Sequence, residues 1–310
     1  MDRIVDIATD GLHLRTDRGF LRVDLEGEEQ GRIALDDIAA VIIHAHGVTW
    51  TTNLVVRLAE RGAVMVFCAA NHAPVSYVVP IEGHSTQQER MEAQWAAGRP
   101  LKKQLWKCIV QSRILMQASL LEAVGRTDAA DKLNAMARKL RSGDPDNLEA
   151  QASRRYWPAL FGSDFRRDRD RGGINAQLNY GYTVLRACVA RSVIASGLHP
   201  SVGIHHCNRM NAFVLADDLV EPFRPLADAV VLRLRQEGCD QVSTEAKHCL
   251  AALVAADLDV EGVTTPMTIA AQRLAYSLAK SCLNKKAGLQ LPTPPKPLLW
   301  MAIMGISGFS

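Results

Sequence analysis

The hydrophobic pattern of the chain changes once, between residues 80 and 100, and this change limits the fold to two unlike halves. Before it, short alternating segments are interrupted by Gly11 and Gly19, and AVMVFC (63–68) has the composition of a buried strand. After it, apolar residues recur three and four positions apart over long stretches such as 101–124. We therefore predict an α+β protein with a small N-terminal β-rich domain followed by a larger all-α domain.

The pattern divides the chain into four predicted parts, and 310 residues are enough for two cores. The parts are the β-rich domain (1–81), a polar linker (82–100), the helical domain that carries the candidate chemistry (101–290) and an apolar C-terminal tail (291–310). Within the β-rich domain, Thr51 or Thr52 is expected to cap one short helix. The helical domain is expected to contain roughly eight helices.

Composition excludes several classes of protein. No run of about 18 apolar residues lacks charges, so we predict no membrane span. The first residues, MDRIVDIATDGLHL, contain no basic region that leads into an apolar stretch, which argues against a signal peptide. The seven cysteines include no C-x-x-C pair, which argues against a disulfide scaffold or a zinc ribbon. We expect a cytoplasmic protein.

Three carboxylates lie on the mostly apolar segment 215–222: Asp217, Asp218 and Glu221. Three acids repel one another and lose solvation if the segment packs inward. A divalent cation held by the carboxylates and a nearby imidazole would offset that cost. The alternative, which spacing alone favours, is that these are surface acids and that Arg224 pairs with one of them.

Other candidate ligands lie upstream. His205 and His206 are adjacent, so their side chains diverge and at most one would ordinarily reach a shared site. Glu149, in NLEAQASRRYW, stands among small residues that would let a ligand approach. The alternative is a glutamate in the first helical turn that merely complements the helix dipole.

An arginine-rich stretch follows Glu149. Its members are Arg154, Arg155, Arg166, Arg167, Arg169 and Arg171. The planar guanidinium group binds phosphate oxygens as a fork, so we expect a phosphate-facing loop. The alternative is a solvated loop without a ligand.

Four motifs in a fixed order carry a family resemblance. They are LEAQASRRYWPALFG (148–162), INAQLNYGYTVLRA (174–187), GLHPSVGIHH (197–206) and LADDLVEPFRP (215–225). With the N-terminal pattern ALDDIAAVIIHA, the chain resembles the CRISPR-associated integrases that insert new spacers into a CRISPR array. The last two motifs are most similar to the branch found in type II systems. The resemblance covers nearly the whole chain except the tail.

The resemblance implies a metal site that holds Mg²⁺ or Mn²⁺. Its ligands would be Glu149, His206 and Glu221, with Asp218 as an accessory acid. His206 ends the G-x-x-H motif, whereas His205 stands where an apolar residue is more usual, so the choice between the two imidazoles stays open. Many relatives carry Asp at the position of Glu221, and we expect the longer side chain to preserve the site.

The resemblance also implies a reaction and partners. The 3′-hydroxyls of a protospacer DNA would be joined to phosphodiesters at the edge of the CRISPR repeat. Arg154, Arg155, Arg166 and Arg167 would hold backbone phosphates. Tyr156 would position a terminal nucleotide, unless it belongs to the helix core.

The implied assembly is a homodimer, with the β-rich domains (1–81) contributing to the dimer contact. This dimer would join a small ferredoxin-like partner in a heterohexamer on double-stranded DNA, with no membrane involved. One alternative is a DNA-binding scaffold of the same complex that has no catalytic activity. A hydrolase of small molecules is a further alternative, and the arginine cluster argues against it.

Overall fold

The structure is a computed structural model that describes residues 3–208 and 210–305. It confirms the α+β class, because strands dominate before residue 80 and helices after it. The strands are β1 (Arg3–Ile7), β2 (Leu12–Asp17), β3 (Phe20–Leu25), β4 (Glu28–Ala34), β5 (Ile38–Ile43), β6 (Thr49–Trp50), β7 (Val64–Cys68), β8 (Pro74–Val78), β9 (Asp257–Val260) and β10 (Val263–Pro266). The helices are α1 (Thr52–Ala59), α2 (Gln87–Trp95), α3 (Arg99–Ala123), α4 (Thr127–Lys139), α5 (Leu148–Phe161), α6 (Ile174–Ala195), α7 (Val214–Leu219), α8 (Arg224–Gln236), α9 (Thr244–Ala251), α10 (Met267–Leu283) and α11 (Pro297–Ile303).

The N-terminal strands form two sheets. One has the order β1-β5-β7-β8, with its first three strands parallel, and the other has the order β4-β3-β2-β6. Every residue of β5 is buried because the strand is covered on both faces. Ala40 and Ile42 pack into the large helical core, whereas Val41 and Ile43 belong to the smaller core between the sheets. The cap of α1 is Thr51, whose hydroxyl accepts from the backbone N–H of Leu54 at 3.3 Å.

The C-terminal half is mostly rather than wholly helical. A hairpin of β9 and β10 interrupts the helices, and its turn residues Glu261 and Gly262 both adopt positive φ, as a two-residue hairpin turn requires. The helix α2 forms inside the expected polar linker. Among the described residues, no helix is both long and apolar enough to cross a bilayer.

The described part of the expected tail packs against the helical half. Trp300 of α11 is fully buried, and its indole N–H donates to the hydroxyl oxygen of Ser119 on α3 at 2.8 Å. That hydroxyl in turn donates to the carbonyl of Pro295. The rest of the expected tail, 306–310, lies outside the described residues.

A cluster of titratable side chains lies where the parallel sheet meets α6 and α9. His72 Nδ1 and His44 Nδ1 are 3.2 Å apart, and His44 Nε2 lies 3.3 Å from Asp6 Oδ1. The His44 ring packs 5.1 Å from the ring of Tyr180, and Lys247 Nζ is 4.0 Å from Asp6 Oδ2. Burial lowers the pKa of His44 to about 3 and raises the pKa of Asp6 to about 6. The junction between the two halves therefore holds a neutral imidazole.

We predict that His44→Gln makes stability less sensitive to acid. The folded-state pKa of His44 is below its ordinary 6.5, so below that pH the unfolded chain binds a proton that the folded chain does not. Between pH 6.5 and about pH 4, the variant should lose about 1.4 kcal/mol less unfolding free energy per pH unit than the wild type. Urea denaturation across this range measures it, with the exposed His46→Gln as control. Equal pH slopes for His44→Gln and the wild type would contradict the assignment.

Candidate metal centre and nucleic-acid surface

The loop 197–206 carries the candidate histidines, and a single carboxylate anchors its end. Asp218 of α7 is fully buried and accepts the backbone N–H groups of residues 204–206 at 2.6–3.2 Å. It also contacts the ring Nδ1 of His206 at 2.7 Å. A Cβ at Gly203 would lie 3.0 Å from Asp218 Oδ2 and 2.8 Å from the carbonyl oxygen of His206, so only glycine fits there. Asp218, predicted as an accessory acid of the metal site, is thus placed as the loop's anchor.

Both histidine rings contact Trp106, His205 face to face and His206 edge-on at 5.4 Å between centroids. The His205 ring stacks flat on the buried Trp106 of α3, with ring centroids 4.2 Å apart and an interplanar angle of 4°. The His206 ring stands nearly perpendicular to the His205 ring. With Nδ1 of His206 bound to Asp218, Nε2 is the nitrogen available to a ligand.

Three acids raise the pKa of His206. The hydrogen bond to Asp218 raises this pKa above its ordinary 6.5, and burial opposes the rise. The charges of Glu221 and Glu149 act in the same direction as Asp218. Asp218 is the acid that the structure places in direct contact with the His206 ring.

Glu149 and Glu221 converge on a single arginine that the sequence analysis did not single out. Arg113 of α3 contacts Glu149 Oε1 and Glu221 Oε2 through the same nitrogen, Nη1, the latter at 2.7 Å. Arg224 contacts the other oxygen of Glu221 at 3.1 Å. Burial alone would lower the pKa of Arg113, but the charges of Glu221 and Glu149 raise it overall, so the guanidinium stays charged. Asp144 accepts the backbone N–H groups of Leu148 and Glu149 at the start of α5, which fixes the helical turn that carries Glu149.

The acids on 215–222 are therefore not surface residues. Asp218 and Glu221 are buried, and Asp217 pairs with Arg186 at 2.5 Å. The surface-acid alternative is wrong for the two buried carboxylates, although the pairing with Arg224 that it included is present. Arginine side chains and backbone N–H groups offset the repulsion among these acids.

Glu149, Glu221 and His206 carry the oxygen and nitrogen atoms that a hard divalent cation prefers, although Arg113 lies between the two glutamates. No three His, Cys, Asp or Glu side chains of the described residues lie close enough together to hold a metal. Glu221 Oε2 is nevertheless buried and makes no directed hydrogen bond, since its contact with Arg113 is an ion pair without hydrogen-bond geometry. Carboxylate oxygens and an imidazole nitrogen are donor types that Mg²⁺ and Mn²⁺ accept, so the chemistry of these residues is compatible with either ion.

A buried carboxylate lies behind this site. Asp228 of α8 accepts the hydroxyl protons of Tyr156 at 2.8 Å and of Tyr182 at 2.5 Å. Burial raises the pKa of Asp228 to about 6, against the effect of the two hydroxyls. Tyr156 is fully buried, as the helix-core alternative expects, and its contact with a terminal nucleotide stays a prediction.

The predicted phosphate-binding arginines divide into two groups. Arg154 and Arg155 of α5 are exposed, and Arg166 in the following loop is exposed as well. The guanidinium of Arg166 donates to two carbonyls of its own loop, those of Ser163 and Phe165. These three arginines are accessible to a phosphate backbone.

Arg167, by contrast, is held by protein groups. Its guanidinium donates to the side-chain oxygens of Asn175 at 2.9 Å and Asn179 at 2.6 Å. It also lies over the ring of Tyr182, 5.4 Å from the centroid. Burial lowers the pKa of Arg167. Arg167 thus links the arginine-rich loop to α6, and these contacts leave its guanidinium poorly available to a DNA phosphate.

The comparisons with known proteins decide the family. The family model described as CRISPR associated protein Cas1 matches residues 5–251. The chain belongs to the Cas1 family. It is 40% identical over 228 residues to the CRISPR-associated endonuclease Cas1 of Neisseria meningitidis serogroup C (strain 8013), which covers 74% of each chain.

Two solved structures share the fold. One is a casposase bound to its integration product, with a TM-score of 0.76 and 19% identity over 93% of this chain and 92% of that one. The other is a chain of a Cas6-RT-Cas1–Cas2 complex, with a TM-score of 0.76 and 18% identity over 94% of this chain and 36% of that one. Both likenesses establish the Cas1 fold.

We predict that Arg113→Met destabilises the metal-free protein by about 3 kcal/mol, because it leaves two buried or half-buried carboxylates without their shared cation. Mn²⁺ should recover part of the loss by replacing the guanidinium. Thermal melting with and without Mn²⁺ measures both effects, and the exposed Arg138→Met serves as control. A Mn²⁺-induced rise in Tm no larger than that of the wild type would contradict a cation position at Arg113 Nη1.

Proposed function

We propose that the chain is a metal-dependent DNA integrase and endonuclease of CRISPR adaptation, with Glu149, His206 and Glu221 as ligands for Mg²⁺ or Mn²⁺. The observation that carries the proposal is the convergence of two carboxylates on the guanidinium of Arg113, together with an imidazole that Asp218 orients. Family membership supports it, since the Neisseria relative is named an endonuclease. The casposase of similar fold is described with an integration product.

Each residue has a definite task in this reaction. Glu149 and Glu221 supply carboxylate oxygens, and His206 supplies Nε2 while Asp218 holds Nδ1 and keeps the ring oriented. Together these residues would hold a divalent ion, which would supply charge neutralisation at the phosphate. One phosphodiester forms from the incoming 3′-hydroxyl as another breaks, so no nucleotide cofactor is consumed. With water as the nucleophile, the same site cleaves DNA.

The proposed DNA path follows α5. Glu149 occupies the first turn of this helix, and the exposed Arg154 and Arg155 follow it one to two turns later. Arg166 extends the basic surface into the next loop. Guanidinium groups in these positions would hold the phosphates that flank the reacting bond.

The proposed assembly is a homodimer that joins a small ferredoxin-like partner in a heterohexamer on double-stranded DNA. A solved structure of similar fold belongs to a complex that contains Cas2, which supports a partner of that class. Strand β5 shares a large buried core with the helices. A dimer contact made through the sheets would therefore be packed directly against the helices that carry the candidate site.

A scaffold without catalysis is the second candidate. The observation that favours it is Arg113, which already neutralises the two carboxylates that a metal would need. A scaffold would bind DNA through the arginines of α5 and bind no Mn²⁺ at His206. Measuring Mn²⁺ binding and strand transfer on the same protein separates the two candidates.

We predict that Glu149→Ala, His206→Ala and Glu221→Ala each reduce strand transfer by at least about 100-fold, because each removes a metal ligand. The assay is the transfer of a short duplex with free 3′-hydroxyls into a supercoiled plasmid that carries a repeat, with Mn²⁺ and the partner protein. His205→Ala is the matched control, since its ring stacks on Trp106. DNA binding should be preserved in all four variants. Transfer lost in His205→Ala but kept in His206→Ala would reverse the ligand assignment.

We predict that Arg154→Ala combined with Arg155→Ala weakens DNA binding and flattens its salt dependence. The slope of log K against log salt should fall by about 1 to 2, as expected for one or two lost phosphate contacts. Fluorescence anisotropy over a salt series measures the slope. Arg126→Ala combined with Arg138→Ala removes two other exposed arginines and should change it less. An unchanged slope in the α5 variant would mean that this surface faces solvent in the complex.

A further inference from the structure

The loop 197–206 is held at a second place by a residue that lies more than 100 positions earlier. Gln94 of α2 is buried, and its amide nitrogen donates to the carbonyls of His199 at 3.0 Å and Val202 at 2.8 Å. Its amide oxygen accepts the backbone N–H of His199 at 2.8 Å. The loop has irregular backbone, so its polar groups need side-chain partners, and one glutamine supplies three of them.

The chain on either side of Gln94 continues this contact. Arg90 is buried and donates to the carbonyl of Ser196 at 3.0 Å. Lys102 donates to the carbonyl of Gly203 at 3.2 Å. Side chains from residues 90–102 therefore contact the backbone from Ser196, just before the loop, to Gly203, close to its histidines.

We propose that Gln94 is a positioning residue for His206, and this proposal rests on the function proposed above. The loop has two anchors, with Gln94 holding residues 199–202 and Asp218 holding residues 204–206. Asp218 fixes the imidazole relative to α7, whereas Gln94 fixes the loop relative to the linker. Releasing one anchor lets the loop and the ring explore other orientations, so metal binding must then order them.

The test compares Gln94→Ala with Gln88→Ala, which lies on the same helix but has an exposed side chain. Binding of Mn²⁺ alone to the full chain is measured by electron paramagnetic resonance. Gln94→Ala should bind Mn²⁺ about tenfold more weakly, the size of loss seen when an outer partner of a metal ligand is removed. Gln88→Ala should bind Mn²⁺ as the wild type does. Equal Mn²⁺ affinity in the two variants would overturn the proposal.

Strand transfer gives a readout that general destabilisation would not produce. For Gln94→Ala, the Mn²⁺ concentration at half-maximal rate should rise by about tenfold while the maximal rate stays near that of the wild type. A variant that is merely partly unfolded would lose maximal rate without a shift in metal dependence, and that outcome would also overturn the proposal.

A second variant keeps the test decisive if Gln94→Ala does not fold. Gln94→Glu has nearly the same volume and can still accept from His199, but it cannot donate to the two carbonyls. It should show the same shift in Mn²⁺ affinity. If wild-type Mn²⁺ binding does not depend on His206, the proposed function fails. If it does depend on His206 but both Gln94 variants bind normally, only the role of Gln94 fails.

Discussion

One guanidinium shared by two carboxylates ties the helical half together at its centre. Arg113 comes from α3, Glu149 begins α5 and Glu221 lies in the turn after α7, so three separate segments meet at one nitrogen. Without a cation at that point the two carboxylates would repel in a partly desolvated space. The same ion pairs therefore keep Glu149 and Glu221, the two candidate carboxylate ligands, converged on one position.

Much of the fold could be predicted from hydrophobic periodicity, and the exceptions have physical causes. The fully apolar run in β5 and the alternating strands before it indicate sheets directly. The helix α2 could not be predicted this way because its buried residues are Arg90 and Gln94, which are polar. The hairpin of β9 and β10 did carry a signal that the sequence analysis passed over: DLDV alternates, and β-branched residues follow the Glu261-Gly262 turn.

The candidate site was only partly accessible from the sequence. Motif order singled out Glu149, His206 and Glu221; the structure brings the two glutamates onto one guanidinium and places His206 against Asp218. Arg113 carries no local signal, because an arginine within a long helix is ordinary and only the folded chain shows its partners. Asp228 did carry a signal, since it is an acid in the apolar run PLADAVVL and resembles the acids that were singled out.

The three acids of 215–222 show how one short segment connects three regions. Asp217 pairs with Arg186, which also donates to the hydroxyl of Tyr77 in β8, so this acid faces the sheets. Asp218 holds the histidine loop, and Glu221 joins the central ion pairs. Because Asp217 and Asp218 are adjacent on α7, a displacement of the sheet that moved one would move the other. The imidazole is thus linked to the position of the sheets through α7 on one side and through the linker that contains α2 on the other.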